Sequence, residues 1–160
     1  MVSNAKSISV FFCQPEIEYL GYIITKEGVK PQPKKVQAIL DMQRPTNKME
    51  VRHFLGMVQF YRDLWPRRSE ILLPITELTK GAKKGPITWT PTCEAAFMKM
   101  KQLIAKETLL AYPDFNKKFT IHTDASDFQL GAVIMQEGKP LAFYSRKLTT
   151  AQRNYTTTEK

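Results

Sequence analysis

Apolar positions along the chain change period several times, and each change marks a different kind of element. Residues 10–12 and 17–25 are rich in β-branched and aromatic side chains, which predicts strand. Lys26-Glu27-Gly28 supplies a turn, and Val29-Lys30 begins a returning strand. After the punctuation of Pro31-Gln32-Pro33, Val36, Ile39 and Leu40 fall at helical spacing until Arg44-Pro45 stops them. Val51, Phe54, Leu55, Val58, Tyr61 and Trp65 then recur at threes and fours. That stripe predicts an amphipathic helix capped by Thr46 or Asn47, with Glu50 in its first turn and Pro66 at its end. A third helix is predicted over 70–79, with Ile71, Leu72, Ile75 and Leu78 inward and Pro74 as a kink or late start. Thr90 and Pro91 open a fourth, whose buried face is Phe97, Met100 and Ile104.

From residue 119 the period falls to two. Phe119, Ile121 and Thr123 alternate with Thr120 and His122, and strands are predicted over 119–124, 130–136 and 140–145 as an antiparallel meander. The turn-rich stretch 113–118 marks a domain boundary. Thr156-Thr157-Thr158 read as the N-cap region of a helix that barely starts before Lys160, so the sheet is expected to have an uncovered face and the second unit to be incomplete. The first strand of the meander ends on Asp124. An aspartate there is either turn chemistry or a carboxylate aimed into a divalent-cation site.

Charge narrows the partners. The chain has 24 Lys+Arg against 15 Asp+Glu, a formal charge of +9. Residues 1–118 carry 19 basic and 11 acidic side chains, and residues 119–160 carry 5 and 4. A basic first part fits a polyanion, with nucleic acid ahead of a membrane surface because no strongly basic amphipathic helix is present; a solvated basic surface is the plainer alternative. Cys13 and Cys93 have no metal-ligand spacing and read as reduced thiols of an intracellular compartment, cytoplasmic or nuclear. His53 and His122 form no ligand pair with them. No apolar run is long enough to span a bilayer.

Several blocks occur in a telling order: Glu18-Tyr19-Leu20-Gly21-Tyr22, Gly28-Val29-Lys30-Pro31, Phe54-Leu55-Gly56 with Tyr61-Arg62, Trp89-Thr90, Ala96-Phe97 and Pro113-Asp114-Phe115. Thr123-Asp124-Ala125-Ser126, Gly131-Ala132-Val133, Tyr144-Ser145-Arg146-Lys147-Leu148 and 154–160 follow them. In this order the chain resembles the Pol polyprotein of gypsy-type LTR retrotransposons, across the end of the reverse transcriptase and the start of its RNase H domain.

The resemblance implies an α+β fold: a β-hairpin and a small helical thumb-like domain, followed by a truncated RNase H-like three-stranded antiparallel sheet. Residues 1–31 would be the end of the palm, 32–112 the thumb-like region and 113–160 the N-terminal part of the RNase H-like domain. Tyr19, Leu20, Gly21 and Tyr22 would form the hairpin that holds a primer terminus. Lys48, Arg52, Arg62, Arg67 and Arg68 would meet phosphates of a template–primer duplex or RNA–DNA hybrid. Phe54, Tyr61 and Trp65 share the apolar stripe and are expected in the core. Asp124 would be the first catalytic, metal-binding carboxylate of a two-Mg²⁺ ribonuclease site, while Asp127 belongs to the turn. Glu159 is read as a helix-start residue. Gln129 stands where a small residue is usual and is expected to crowd the turn.

The polymerase carboxylates are absent and one RNase H carboxylate cannot hold two metals. The isolated chain is therefore expected to bind duplex without catalysing, as part of a longer Pol polyprotein. The alternatives are a non-enzymatic nucleic-acid-binding module and an assembly module that pairs through the uncovered strands.

Overall fold

A computed structural model describes residues 14–81, 85–106, 108–126, 129–149 and 152. The readings made for residues 10–12, Cys13, Asp127, 154–158 and Glu159 lie outside the described residues. The chain folds as mixed helix and sheet, with two three-stranded antiparallel sheets separated by a helical core.

The β-rich run over 17–25 is two strands. β1 (Glu16–Tyr19) turns through Leu20 and Gly21, both at positive φ (47° and 84°), into β2 (Tyr22–Thr25). β3 (Val29–Pro31) returns alongside β2. Two positive φ values in succession match the right-handed twist of a tight hairpin. The cost of the first falls on Leu20, which is not glycine.

α1 (Pro33–Leu40) begins on a proline, whose missing N–H costs nothing at a helix start. α2 (Lys48–Phe60) is capped by Asn47, whose side chain accepts from the N–H groups of Met49 and Glu50 at 3.0 Å each. The Glu50 carboxylate in turn accepts from the Thr46 N–H at 2.7 Å, which holds its pKa below the ordinary carboxylate range. The helix ends five residues before the predicted Trp65. A single 3₁₀ turn, Arg62–Leu64, bends the chain there so that Tyr61, Leu64 and Trp65 still reach the core. The predicted third helix is two short ones, α3 (Arg68–Ile71) and α4 (Leu73–Glu77), broken at Leu72 because Pro74 in the first turn of α4 cannot continue α3's hydrogen bonding. α5 (Pro91–Ala105) starts where the sequence placed it, with Thr90 Oγ1 accepting from Cys93 N–H at 3.3 Å.

These helices enclose one cluster: Ile39, Val51, Phe54, Val58, Tyr61, Leu64, Trp65, Leu72, Ile75, Phe97, Met100 and Ile104 are all buried. Phe54, Tyr61 and Trp65 are core residues, as their stripe predicted. Cys93, the one described cysteine, is a free thiol buried in the same cluster.

β4 (Thr120–Ala125), β5 (Gln129–Gln136) and β6 (Lys139–Lys147) form the second sheet in sequence order. β4 is exposed along its whole length, while β6 is the edge turned toward the helices. There the Ser69 N–H donates to Ser145 Oγ and Ser69 Oγ donates to the Ser145 carbonyl, both at 2.9 Å. Gln129 does not crowd its turn. It is 2% exposed, donates to Glu70 at 3.2 Å and accepts from Ser145 Oγ at 3.1 Å, so it ties the sheet to α3.

Lys147 pairs with Glu77 of α4, and Lys80 approaches the same carboxylate. Hydrogen bonds from these two lysines hold the Glu77 pKa below the ordinary carboxylate range. A carboxylate lowered in the folded state contributes stability above its unfolded pKa and loses it as pH falls through the folded value. The stability gap between the wild-type chain and a Glu77→Gln variant is therefore expected to be open at pH 7 and to close as urea denaturation is repeated below about pH 4. A gap that persisted into acid would deny the ionised contact.

One short segment touches both sheets. Leu110 exchanges backbone hydrogen bonds with Val29 of β3 at 2.8 and 3.0 Å, and the next N–H, on Ala111, donates to Pro140 of β6 at 2.9 Å.

Candidate nucleic-acid interface

The outward face of α2 carries an open, mainly apolar groove of about 760 Å³. Arg52, Gly56 and Phe60 follow one another at four-residue spacing along it, the Leu20-Gly21 turn forms one end, and Lys35 of α1 lines it too. Phe60 is 54% exposed and Leu20 72%. At Gly56 a Cβ would meet nothing within 4 Å, so no intramolecular contact requires glycine at this mid-helix position. The alternation of apolar and polar positions did not single out Gly56 or Phe60, because both fall off the buried stripe. The available signal was a helix-interior glycine followed by an off-stripe aromatic.

The predicted hairpin residues divide. Tyr19 and Leu20 are exposed, whereas Gly21 and Tyr22 dock the turn on the end of α2. The Tyr61 hydroxyl donates to the Gly21 carbonyl at 2.6 Å, and the Tyr22 hydroxyl donates to the Phe60 carbonyl at 3.2 Å. Tyr22 also stacks on the Phe60 ring, with centroids 5.6 Å apart. Burial raises the pKa of both tyrosines, and the Asp63 charge adds to the shift at Tyr22. A Cβ on Gly21 would lie 3.2 Å from the Phe60 ring. The close approach that this glycine permits in the folded chain is to a protein ring.

The five basic candidates do not form one row. Lys48 Nζ donates to the Lys80 carbonyl at 2.6 Å, and Arg52 donates to the Thr79 carbonyl at 3.1 Å, so both also hold α2 to the end of α4. Arg62 and Arg68 line a second groove, of about 660 Å³, between α2–α3 and β6, with Gly56 on both grooves. Arg68 donates to Gln59, and its pKa is lowered by burial first and then by the Arg62 charge. Arg67 stands apart, at a left-handed φ of 50°. Its Nε donates to Glu70 at 2.7 Å; that carboxylate raises the Arg67 pKa, with Asp124 adding to the effect.

Asp124 therefore lies at the exposed end of β4, paired in register with Gly131, within the field of Arg67. The following turn is closed by Ser126 N–H on the Gln129 carbonyl at 3.0 Å. Among the described residues, no three His, Cys, Asp or Glu side chains come together to hold a metal ion. Among the described residues, no helix is long and apolar enough to cross a membrane.

Residues 89–160 match the family described as the RNase H-like domain found in reverse transcriptase. Over 93% of its length the chain is 38% identical to the retrovirus-related Pol polyprotein from transposon opus of Drosophila melanogaster, of which it spans 16%. It is 42% identical to that from transposon 297 of the same fly, spanning 14% of it. It is 34% identical to the Tf2-3 polyprotein of Schizosaccharomyces pombe, spanning 11%. Among solved structures, the foamy viral protease-reverse transcriptase in complex with dsDNA superimposes at a TM-score of 0.79 and 24% identity, over 91% of this chain and 31% of that one. The same viral protein with an RNA/DNA hybrid gives 0.78 and 23%, over 89% and 20%. At that identity the superposition establishes the fold. The match over residues 89–160 is to an RNase H-like domain of the reverse-transcriptase type, and the homologues of the chain are retrotransposon Pol polyproteins.

Proposed function

We propose that this segment of a Pol-type chain grips a template–primer duplex or RNA–DNA hybrid through the outward face of α2 and the Leu20-Gly21 turn. The observation that carries this reading is the open groove across Arg52, Gly56 and Phe60. Glycine in a helix interior costs about 0.5–1 kcal/mol relative to alanine, and no internal contact recovers that cost here. A helix that exposes its backbone beside a half-exposed aromatic ring, with Lys35 and Arg52 at the margins, lets a nucleic-acid backbone come close. The viral proteins of the same fold were solved with dsDNA and with an RNA/DNA hybrid, which supports the assignment.

On this reading residues 1–31 end a palm, 32–112 make a thumb-like unit and 113–160 begin the RNase H-like unit, although the matched segment starts earlier, at residue 89. Tyr19 and Leu20 meet the nucleic acid directly, and Gly21 and Tyr22 fix their turn. Lys48, Arg52, Arg62, Arg67 and Arg68 supply phosphate contacts that carry no sequence preference. Asp124 is one metal-binding carboxylate of an RNase H-like centre, whose Mg²⁺ would stabilise charge on the phosphate being cut. On this reading hydrolysis and RNA-directed DNA synthesis are activities of a longer Pol protein to which this segment contributes its grip.

Gly56→Ala separates this reading from a bare surface. The variant is expected to gain about 0.5–1 kcal/mol in urea denaturation. Its affinity for a labelled RNA–DNA hybrid, followed by anisotropy, is expected to fall about tenfold. Wild-type affinity should also drop steeply with added salt. Binding absent at low salt, or a more stable Gly56→Ala that binds as well as wild type, would overturn it.

A further inference from the structure

The Tyr144-Ser145-Arg146-Lys147 stretch has no part in that duplex face, although the groove beside it shares Gly56, Arg62 and Arg68 with the duplex reading. We propose that the groove between α2–α3 and β6 binds a single nucleic-acid strand, with Arg68 and Arg146 on its phosphates and Tyr144 stacked on a base. This inference rests on the nucleic-acid reading above and adds a second site with a different form of ligand.

The argument starts from charge. Arg62, Arg68, Arg146 and Lys147 line the groove against a single carboxylate, Asp63. Two of the four cations already have acidic partners: Arg62 lies 3.4 Å from Asp63, and Lys147 pairs with Glu77. Arg68 and Arg146 have neutral amides instead, Gln59 and Gln152, the latter at 3.1 Å. Two guanidinium groups thus border one groove with no carboxylate at ion-pair distance among the described residues, although the Asp63 charge reaches Arg68. Arg68 is also half-buried, and its Nε has no hydrogen-bond partner among the described residues. A desolvated cation of this kind gains most from an arriving anion, because the cost of removing it from water has already been met in folding. Guanidinium suits phosphate in particular, through its planar fork of donors.

The remaining lining selects the form of the polyanion. Tyr144 borders the groove and is 52% exposed, and Phe143 lies beside it. An exposed aromatic ring next to a basic channel is the combination that holds single strands, since each base has a face to stack. A paired duplex keeps its base faces covered and offers none. At about 660 Å³ the groove has the size of sites that take small-molecule ligands, enough for a nucleotide-scale piece of one strand. Ser69 and Ser145, both on its lining, are joined by reciprocal hydrogen bonds that hold α3 against β6, so the groove is formed before a ligand arrives.

The test compares a labelled dT oligonucleotide with a blunt duplex of the same length, by anisotropy on the 160-residue chain at low salt. Arg146→Gln and Tyr144→Ala, both at exposed positions, are each expected to weaken dT binding about tenfold or more and to change duplex binding less than about twofold. Tyr144→Phe keeps a ring and is expected to bind dT as wild type does, whereas loss in that variant would point away from stacking. Gly56 borders both grooves, so Lys35→Gln serves as the duplex-face variant; it is expected to weaken the duplex and spare dT. Unchanged dT affinity in Arg146→Gln and Tyr144→Ala overturns the site. Equal losses for both ligands would make the groove an extension of the duplex face. Displacement of dT by a poly-glutamate peptide at equal charge would replace the single strand with an acidic peptide. Wild-type chain that binds duplex but not dT refutes this proposal alone; chain that binds neither refutes the duplex reading as well.

Discussion

Trp65→Ala is expected to remove about 3–5 kcal/mol of folding stability, enough to unfold much of the helical region at ordinary temperature. Trp65 is 0% exposed and is the largest of the fully buried side chains. It packs edge-on against Tyr61, with centroids 6.5 Å apart, at the bend where the 3₁₀ turn redirects the chain after α2. Removing the indole loses the transfer free energy of a large apolar side chain and leaves a cavity in the buried cluster. Urea denaturation followed by far-UV circular dichroism measures the loss. Trp65→Phe refines the test. The indole Nε1 has no hydrogen-bond partner among the described residues, so the smaller ring removes an unsatisfied donor while keeping part of the volume. It is expected to cost clearly less than alanine. Equal losses would mean that packing at this bend tolerates no change of shape.

Gly28→Ala is expected to be the most damaging change outside the helical core. A Cβ there would stand 2.1 Å from the Leu110 carbonyl oxygen and 2.9 Å from its carbon, both backbone atoms that have no rotamer to change. The same oxygen accepts from the Val29 N–H at 2.8 Å, so relief of the clash breaks the pairing of β3 with Leu110. Overpacking of this kind costs roughly 1–3 kcal/mol, and the φ of +156° adds strain for any side chain. Gly138→Ala is the control: it also sits at positive φ (78°) but has nothing within 4 Å of an added Cβ, so only the backbone conformation is charged, about 1–2 kcal/mol. Amide exchange at Val29 and Leu110 is expected to accelerate in Gly28→Ala and to stay unchanged in Gly138→Ala. Protected amides in Gly28→Ala would show that the Leu110 segment can move aside.

What the sequence made legible follows from the range of the interactions involved. The starts of α2 and α5 were readable because a cap acts within three residues: Asn47 on Met49 and Glu50, Thr90 on Cys93. The β4–β5–β6 meander was readable from alternation and two short connections. The break at Leu72 was readable as the kink or late start that Pro74 imposes; the early end of α2 was not, since its apolar stripe runs on to Trp65. Gln129 shows the same limit at one residue. Its turn appeared crowded by a long side chain, yet its amide finds Glu70 and Ser145 far away along the chain.

For the interface, the residue types were legible and their grouping was not. The arginines of the thumb-like region read as one phosphate-tracking set. In the fold Arg52 belongs to the α2 face, Arg62 and Arg68 to the groove against β6, and Arg67 to the neighbourhood of Asp124. Only the three-dimensional arrangement of α2, the 3₁₀ turn and α3 sorts them.

The Leu110-Ala111 segment has a kinetic consequence. Its bonds to Val29 and Pro140 join parts of the chain remote in sequence, so they close large loops and their entropy cost falls late in folding. The β1–β2–β3 hairpins and the capped helices rest on local contacts, whereas the outer partner of β3 and the bond to Pro140 both depend on where residues 110 and 111 lie. Because adjacent residues bond to different sheets, a displacement of the 110–111 backbone loosens an edge of each sheet at once.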